Sequence, residues 1–259
     1  MNIIICIKQV PNTTQVRINP DTNTLMREGV ECIINPFDMY AIEEGLRLKE
    51  RVSGKVIVIS MGPPQAESAL RESVSMGCDE AILITDRRFA GSDTWATSYI
   101  LAQAVKKIGD FGLIVCGKQA SDGDTAQVGP GLSTHLNIPQ ITYVKKVEQV
   151  SIEGIRVERM TEEGFEIIEA PLPCLLTVVK EINEPRLPSL KGKMRAKKTE
   201  IVKWSADDLD CEHDKIGLDG SPTRVVKIFT PEPRKGGLIL KGDVNEIVNK
   251  LVAEVKNEL

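Results

Sequence analysis

Histidine is nearly absent from this 259-residue chain. Only His135 and His213 occur, far apart in the chain, and a histidine-based hydrolase or metal centre is therefore not expected. Cysteine occurs six times, at 6, 32, 78, 116, 174 and 211, but never as Cys-x-x-Cys, so neither a zinc site nor a redox dithiol is indicated and reduced, mostly buried thiols are expected. Basic residues are not in excess: 33 Lys and Arg face 37 Asp and Glu, a net charge of −4, which argues against a nucleic-acid partner. Long apolar runs are also missing. The first ten residues, Met1 to Val10, are apolar but too short to span a bilayer and carry no basic start or cleavage site. They read as the first core strand of a cytoplasmic protein with no membrane insertion. Two nucleotide fingerprints are absent as well. There is no Gly-x-Gly-x-x-Gly, and the one Gly-Lys in the glycine-rich stretch, Gly117-Lys118, lacks the Ser or Thr of a P-loop.

What is present is strand and helix in alternation. Apolar runs at Ile3–Ile7, Lys55–Ser60, Glu80–Ile84 and Leu113–Cys116 are separated by helical patterns at Met39–Glu50, Gln65–Met76 and Thr94–Lys107. This order predicts an α/β fold, a parallel sheet with helices on both faces. Asn35-Pro36-Phe37-Asp38 supplies the start signal of the first helix. Ligands of such folds gather at the carboxyl ends of the strands, here the loops Lys8–Pro11, Ser60–Pro64, Asp86–Thr97 and Gly117–Gly129. After Pro139 the runs Val144–Val150, Gly154–Met160, Gly164–Glu169 and Leu175–Glu181 read as antiparallel strands at the sheet edge. From Pro185 to Gly242 periodicity fades, which predicts a long C-terminal arm poorly packed on its own chain, before a last amphipathic segment, Asp243–Leu259. Apolar Trp204, Leu209, Ile216, Leu218 and Phe229 argue against a disordered tail. The expected division is a nucleotide-binding domain over 1–184 and a recognition loop with its arm over 185–259.

The segment from Gly117 to Pro130 follows a strand and opens a helix that carries Leu132, Leu136 and Ile138, with Pro near its first turn. Free N–H groups at such a helix start face a phosphate. By spacing alone, phosphate binding and an ordinary glycine-rich turn both remain open.

The segments Cys6-Ile7-Lys8-Gln9-Val10-Pro11, Asn35-Pro36-Phe37-Asp38 with Ala41-Ile42-Glu43-Glu44, Ser60-Met61-Gly62-Pro63, Gly117-Lys118-Gln119-Ala120 and Asn183-Glu184-Pro185-Arg186 leading to Met194-Arg195-Ala196-Lys197-Lys198 cover nearly the whole chain. In order and separation they resemble the β subunit of electron-transfer flavoproteins. Asp122 to Pro130 and Asp93-Thr94-Trp95-Ala96-Thr97-Ser98 resemble its electron-bifurcating branch. The resemblance implies a fold of the adenine-nucleotide α-hydrolase kind and an α-subunit partner that carries FAD. In this chain's own site it implies a second FAD, or AMP in ordinary members. It implies backbone contacts to phosphate from Gln127, Val128 and Gly129, with Asp122, Thr125, Ala126 and Gly131 in the same segment. Asp93, Thr94 and Thr97 would serve the longer ligand, which needs donors beyond one helix start, although Asp93 is equally an N-cap. Cys6, Asn35 and Met61, with Ile7, Lys8 and Asp38 beside them, would meet adenine or ribose.

The basic stretch Arg186–Lys198 reads as a solvated loop by charge alone. The resemblance makes it the docking loop for a dehydrogenase of acyl-CoA or lactate type, with Leu190 as anchor and Lys191, Lys193 and Arg195 steering an acidic surface. NADH as donor and ferredoxin or flavodoxin as acceptor follow from the resemblance too. No side chain reads as a catalytic acid, base or nucleophile, because a flavin carries the chemistry. Two rivals are an ATP-using enzyme, disfavoured because Lys8-Gln9-Val10-Pro11 stands where a Ser-Gly-Gly-type loop is needed, and a nucleotide-sensing module.

Overall fold

The computed structural model describes residues 1–12, 17–18, 25–26, 31–226 and 236–258. Two units are distinguished, Met1–Val226 and Lys227–Leu259.

In the first unit the chain runs β1 (Asn2–Cys6), β2 (Gln9–Pro11), β3 (Arg17–Ile18), β4 (Leu25–Met26), β5 (Cys32–Ile34), α1 (Pro36–Val52), β6 (Lys55–Met61), α2 (Glu67–Met76), β7 (Glu80–Ile84), α3 (Thr94–Ile108) and β8 (Leu113–Gly117). It continues through α4 (Val128–Leu136), β9 (Gln140–Val150), β10 (Gly154–Met160), β11 (Phe165–Pro171), β12 (Cys174–Val178), α5 (Leu190–Lys198) and β13 (Val202–Trp204). Among the described residues, nine strands form one sheet in the order β11-β10-β9-β12-β8-β1-β6-β7-β13. It is parallel from β9 to β13 and antiparallel where β10 joins β9 and β11.

The continuous apolar strands follow from burial on both faces. Along β1, Ile3 and Ile5 point to the side holding Ala41, Ile42 and Leu46 of α1 and Leu70 of α2, whereas Ile4 and Cys6 face Ile100 and Ala104 of α3 and Leu132 of α4. Each fully buried Ile or Leu adds about 1.5–3 kcal/mol of hydrophobic stabilisation. Chain order and spatial order part company at β1: β6 lies on one side, and β8, reached later, lies on the other. The crevice beyond the carboxyl ends of β1 and β8 is therefore a topological switch point, where ligands of open α/β sheets bind.

Two expectations are corrected. Leu175–Glu181 is not an antiparallel edge strand. Its strand, β12, is fully buried and lies parallel between β8 and β9, and a short 3₁₀ turn, Lys180–Ile182, follows. Nor is the stretch after Pro185 unpacked as far as Val226. The Ser189 hydroxyl caps α5 by accepting from the Gly192 N–H at 2.9 Å, and α5 docks on α2. Arg71 donates to Ala196 O at 2.7 Å, while β13 adds a parallel strand beside β7. Ile201, Leu209 and Ile216 are buried in the two cores. Those apolar residues find their partners within the chain. Leu218 stays exposed, and Phe229 lies outside the described residues.

The second unit contains α6 (Val244–Glu258), opened by the Asp243 carboxylate, which accepts from Asn245 N at 2.8 Å and Glu246 N at 3.0 Å. Val244, Val248, Leu251 and Val255 form an exposed apolar stripe at helical spacing. Among the described residues no helix is long and apolar enough to cross a membrane.

Candidate functional site

A cleft of about 880 Å³ opens at the carboxyl ends of β1, β6, β7 and β8. It brings together Cys6, Ile7, Lys8, Asn35, Asp38 and Met61 with Asp93, Thr94 and Thr97 from the start of α3 and with Thr125, Ala126, Gln127, Val128 and Gly129 from the start of α4. Asp122 and Gly131 are not in its lining. Asp122 is instead ion-paired at 2.7 Å with Nζ of Lys8, which does line it. Gly131 faces α3: a Cβ there would lie 2.5 Å from Ser98 Oγ, so glycine lets the two helices approach. Thr85, Arg87, Phe89 and Ser92 after β7 also line the cleft, as do Gln119 and Ala120 of the Gly117–Ala120 segment, and residue type alone gives none of them a role. Their signal was their position in strand-end loops.

The wall nearest β1 is held by two buried polar side chains. Asn35, only 1% exposed, donates from Nδ2 to Gln119 O at 2.8 Å and accepts from Ser121 N at 3.0 Å, so its amide pins the loop after β8. Asp38 accepts the Lys8 N–H at 2.7 Å, and the nearby Asn35 side chain and Gly117 backbone also favour its carboxylate. Burial is the larger influence and pushes its carboxyl up to about 7 in spite of these donors. A Cβ on Gly117 would sit 2.4 Å from Asp38 Oδ1, which explains a glycine at the end of β8.

The opposite wall is the start of α4. Asp124 and Ala126 adopt left-handed backbone, with φ of 52° and 54°, a conformation that costs energy for residues with a Cβ. The two residues bend the chain into the helix, and among the described residues nothing accepts from the N–H groups of Thr125, Ala126, Gln127, Val128 and Gly129. These donors, with the positive end of α4, fit a phosphate. Gly129 brings α4 onto β12, since a Cβ there would lie 2.6 Å from Thr177 Cγ2. Thr94 Oγ1 bonds to Gln127 Oε1 at 2.9 Å and so joins the two helix starts that face the cleft.

Asp93 is committed within the protein. Its Oδ1 accepts from Trp95 N and Ala96 N at 2.9 and 3.1 Å, which is the N-cap of α3, and its Oδ2 accepts from both N and Oγ1 of Thr223 at 2.9 Å. Burial pushes its carboxyl up, but these donors outweigh it and leave the group below the usual carboxylate range. Ser221 Oγ accepts from Asp93 N at 2.9 Å, and Gly217 N donates to Ser92 Oγ at 3.0 Å. Segment 217–223 is thereby latched along the cleft rim.

On α5, Leu190 is 79% exposed and Leu187, just before the helix, is 89% exposed, with Lys191 and Lys193 also in solvent. Arg195 has a second role, since its guanidinium donates to Val74 O at 2.7 Å and to Cys78 O and so closes the end of α2. The approach to α5 is anchored by Arg186, whose Nε lies 2.8 Å from the buried Glu43 and whose Nη1 lies 2.7 Å from Glu50.

Comparison with known proteins matches this arrangement to a family. The model of the electron transfer flavoprotein domain fits residues 22–209. The chain is 53% identical to the electron transfer flavoprotein subunit beta of Thermoanaerobacterium thermosaccharolyticum, covering 99% of this chain and 98% of that one. It is 47% identical to protein FixA of Sinorhizobium fredii, over 100% of this chain and 92% of that one. It is 46% identical to the caffeyl-CoA reductase-Etf complex subunit CarD of Acetobacterium woodii, over 100% and 99%. A strand-first α/β sheet, a cleft at its switch point and full-length likeness to these subunits agree, and the chain belongs to the electron transfer flavoprotein family as a β-type subunit.

Proposed function

We propose that this subunit, paired with an α subunit, binds a second FAD in the cleft and serves an electron-bifurcating complex. The observation that carries the proposal is the pair of helix starts on one cleft. The unclaimed N–H groups of 125–129 suit one phosphate, and α3, joined through Thr94 to Gln127, extends the donor surface toward the rest of a dinucleotide. AMP would need only the first of these. When bound, the flavin supplies hydride acceptance from NADH and one-electron transfer, to ferredoxin or flavodoxin on one branch and through the α-subunit FAD to a dehydrogenase on the other.

The chain's own residues position and screen. Asn35 and Asp38 fix the two loops at the switch point, and Lys8, turned toward Asp122, brings positive charge to the rim. Thr94 and Thr97 present hydroxyls at the start of α3. Leu190, exposed among cations, suits a transient contact with an acidic dehydrogenase surface. The name of CarD, which places that relative in a caffeyl-CoA reductase complex, supports a partner of the acyl-CoA class.

Nucleotide content tests the reading. The chain is co-expressed with its α subunit, the purified complex is denatured, and released FAD and AMP are separated by chromatography. Two FAD and no AMP per heterodimer is the expected result. One FAD with one AMP refutes the second flavin and leaves a simple electron carrier, and absence of any flavin returns the nucleotide-sensing reading.

A further inference from the structure

Cys6 and Cys116 are separated by more than a hundred residues, yet the parallel register of β1 and β8 sets them directly side by side. Both face the same core as α3 and α4, both line the cleft, and both are nearly buried, at 8% and 6% exposure. Their side chains project from neighbouring strands on the same face of the sheet. The other neighbours in register are Ile59 beside Cys6 and Thr177 beside Cys116, while Cys174 pairs with Leu113. The fold thus builds a dithiol that no Cys-x-x-Cys spacing announces.

We propose that Cys6 and Cys116 form a bidentate site for soft, thiophilic electrophiles of the trivalent arsenical class, in the part of the cleft that the nucleotide covers. Geometry favours an interposed atom over a direct disulfide. Side chains in register on adjacent strands stand about 4.8 Å apart, wider than the Cβ separation of about 3.5–4.5 Å that a disulfide requires. Two sulfurs in register on one face of adjacent strands can instead close on one bridging arsenic. The step is balanced without redox change. An organoarsenic(III) oxide, R–As=O, exchanges its oxygen for two sulfurs, two As–S bonds form, and both thiol protons leave with the oxygen as one water molecule. Cys6 at its side, burial and nearby Asp38 hold the Cys116 thiol well above its ordinary range. Monofunctional alkylating agents, which need a thiolate, therefore react slowly here.

The competition with nucleotide rests on the proposed function, whereas the dithiol does not. The full-length chain, purified with its α subunit, is treated with phenylarsine oxide before and after nucleotide removal, and intact mass is measured after gel filtration. The expected result is one arsenical on the nucleotide-free β chain, lost in Cys6→Ala, Cys116→Ala and the two Ser variants, and blocked by saturating FAD or AMP. Iodoacetamide under the same conditions should spare both residues. No retention by the parent chain, or equal retention by the single variants, overturns the dithiol. Capture that FAD and AMP both leave unchanged overturns the competition and, separately, the nucleotide reading of this cleft.

Discussion

Replacing Asn35 by Ala tests whether the cleft is held open by one buried amide. The substitution removes two hydrogen bonds, at 2.8 and 3.0 Å, from a side chain that is 1% exposed. Each such bond contributes a net stabilisation of about 0.5–1.5 kcal/mol. Gln119 is half-buried and Ser121 exposed, so water recovers some of the loss. The expected destabilisation is about 2 kcal/mol. The larger effect falls on the ligand: the loop at Lys118–Ala120 lines the cleft, and if it occupies its binding pose only a tenth of the time, nucleotide affinity drops about tenfold. Asn35→Asp should be worse than Ala, since a carboxylate oxygen would then face Gln119 O and stand beside Asp38. Urea unfolding followed by circular dichroism gives the stability, and calorimetric titration with AMP and FAD gives the affinity. An Ala variant within about 0.5 kcal/mol of the parent, binding nucleotide equally well, would refute the pinning argument.

Three further outcomes are expected. Asp38, at about 7 when folded against an ordinary 3.8, favours the neutral form, so its contribution to stability is complete at low pH and is lost as pH rises toward 7. Relative to Asp38→Asn, the parent should lose about 2–3 kcal/mol between pH 5 and 7 in urea titrations, and parallel pH profiles would count against the assignment. Glu43 shows the opposite sign: burial pushes it up, but Arg186 and Arg47 hold it below its ordinary value, so its contribution is present above pH 4.5 and is lost as pH falls. Arg186→Met should destabilise by about 3 kcal/mol at pH 7 and less at pH 4, because a buried carboxylate loses its partner. Gly129→Ala, whose methyl would meet Thr177 Cγ2, should cost about 1–3 kcal/mol and weaken nucleotide binding in the same titration, whereas Gly123→Ala, with open space around it, should do neither.

The parallel strands were legible in the sequence because burial on both faces writes them as unbroken apolar runs, and Glu80–Ile84 falls at its expected bounds. β12 was not, since its apolar run follows three alternating strands and only the chain's return between β8 and β9 reveals its place. α5 was hidden for another reason: Ala196 alone is buried on it, and its attachment to α2 comes largely from arginines reaching backbone carbonyls, which leave no hydrophobic period. In the cleft, the donor segment before α4 was visible as a loop between strand and helix. The link from Asp93 to Thr223 was not, because a cap residue looks the same with or without a second partner 130 residues away.

The place of β13 at the outer edge of the sheet has a bearing on biosynthesis. β7 is complete at Ile84, but its free edge is covered only when Val202–Trp204 arrives. At 5–20 residues per second, the roughly 120 intervening residues take about 6–24 s to emerge from a ribosome. Through that interval the nascent chain carries an apolar strand with an open row of N–H and C=O groups, the usual template for intermolecular pairing. β13, three residues long, with the α5 helix leading into it, replaces the five-residue edge of β7 by a shorter one, which is the usual way a sheet edge is made less sticky. A chain interrupted before Val202 would leave the same edge exposed for good.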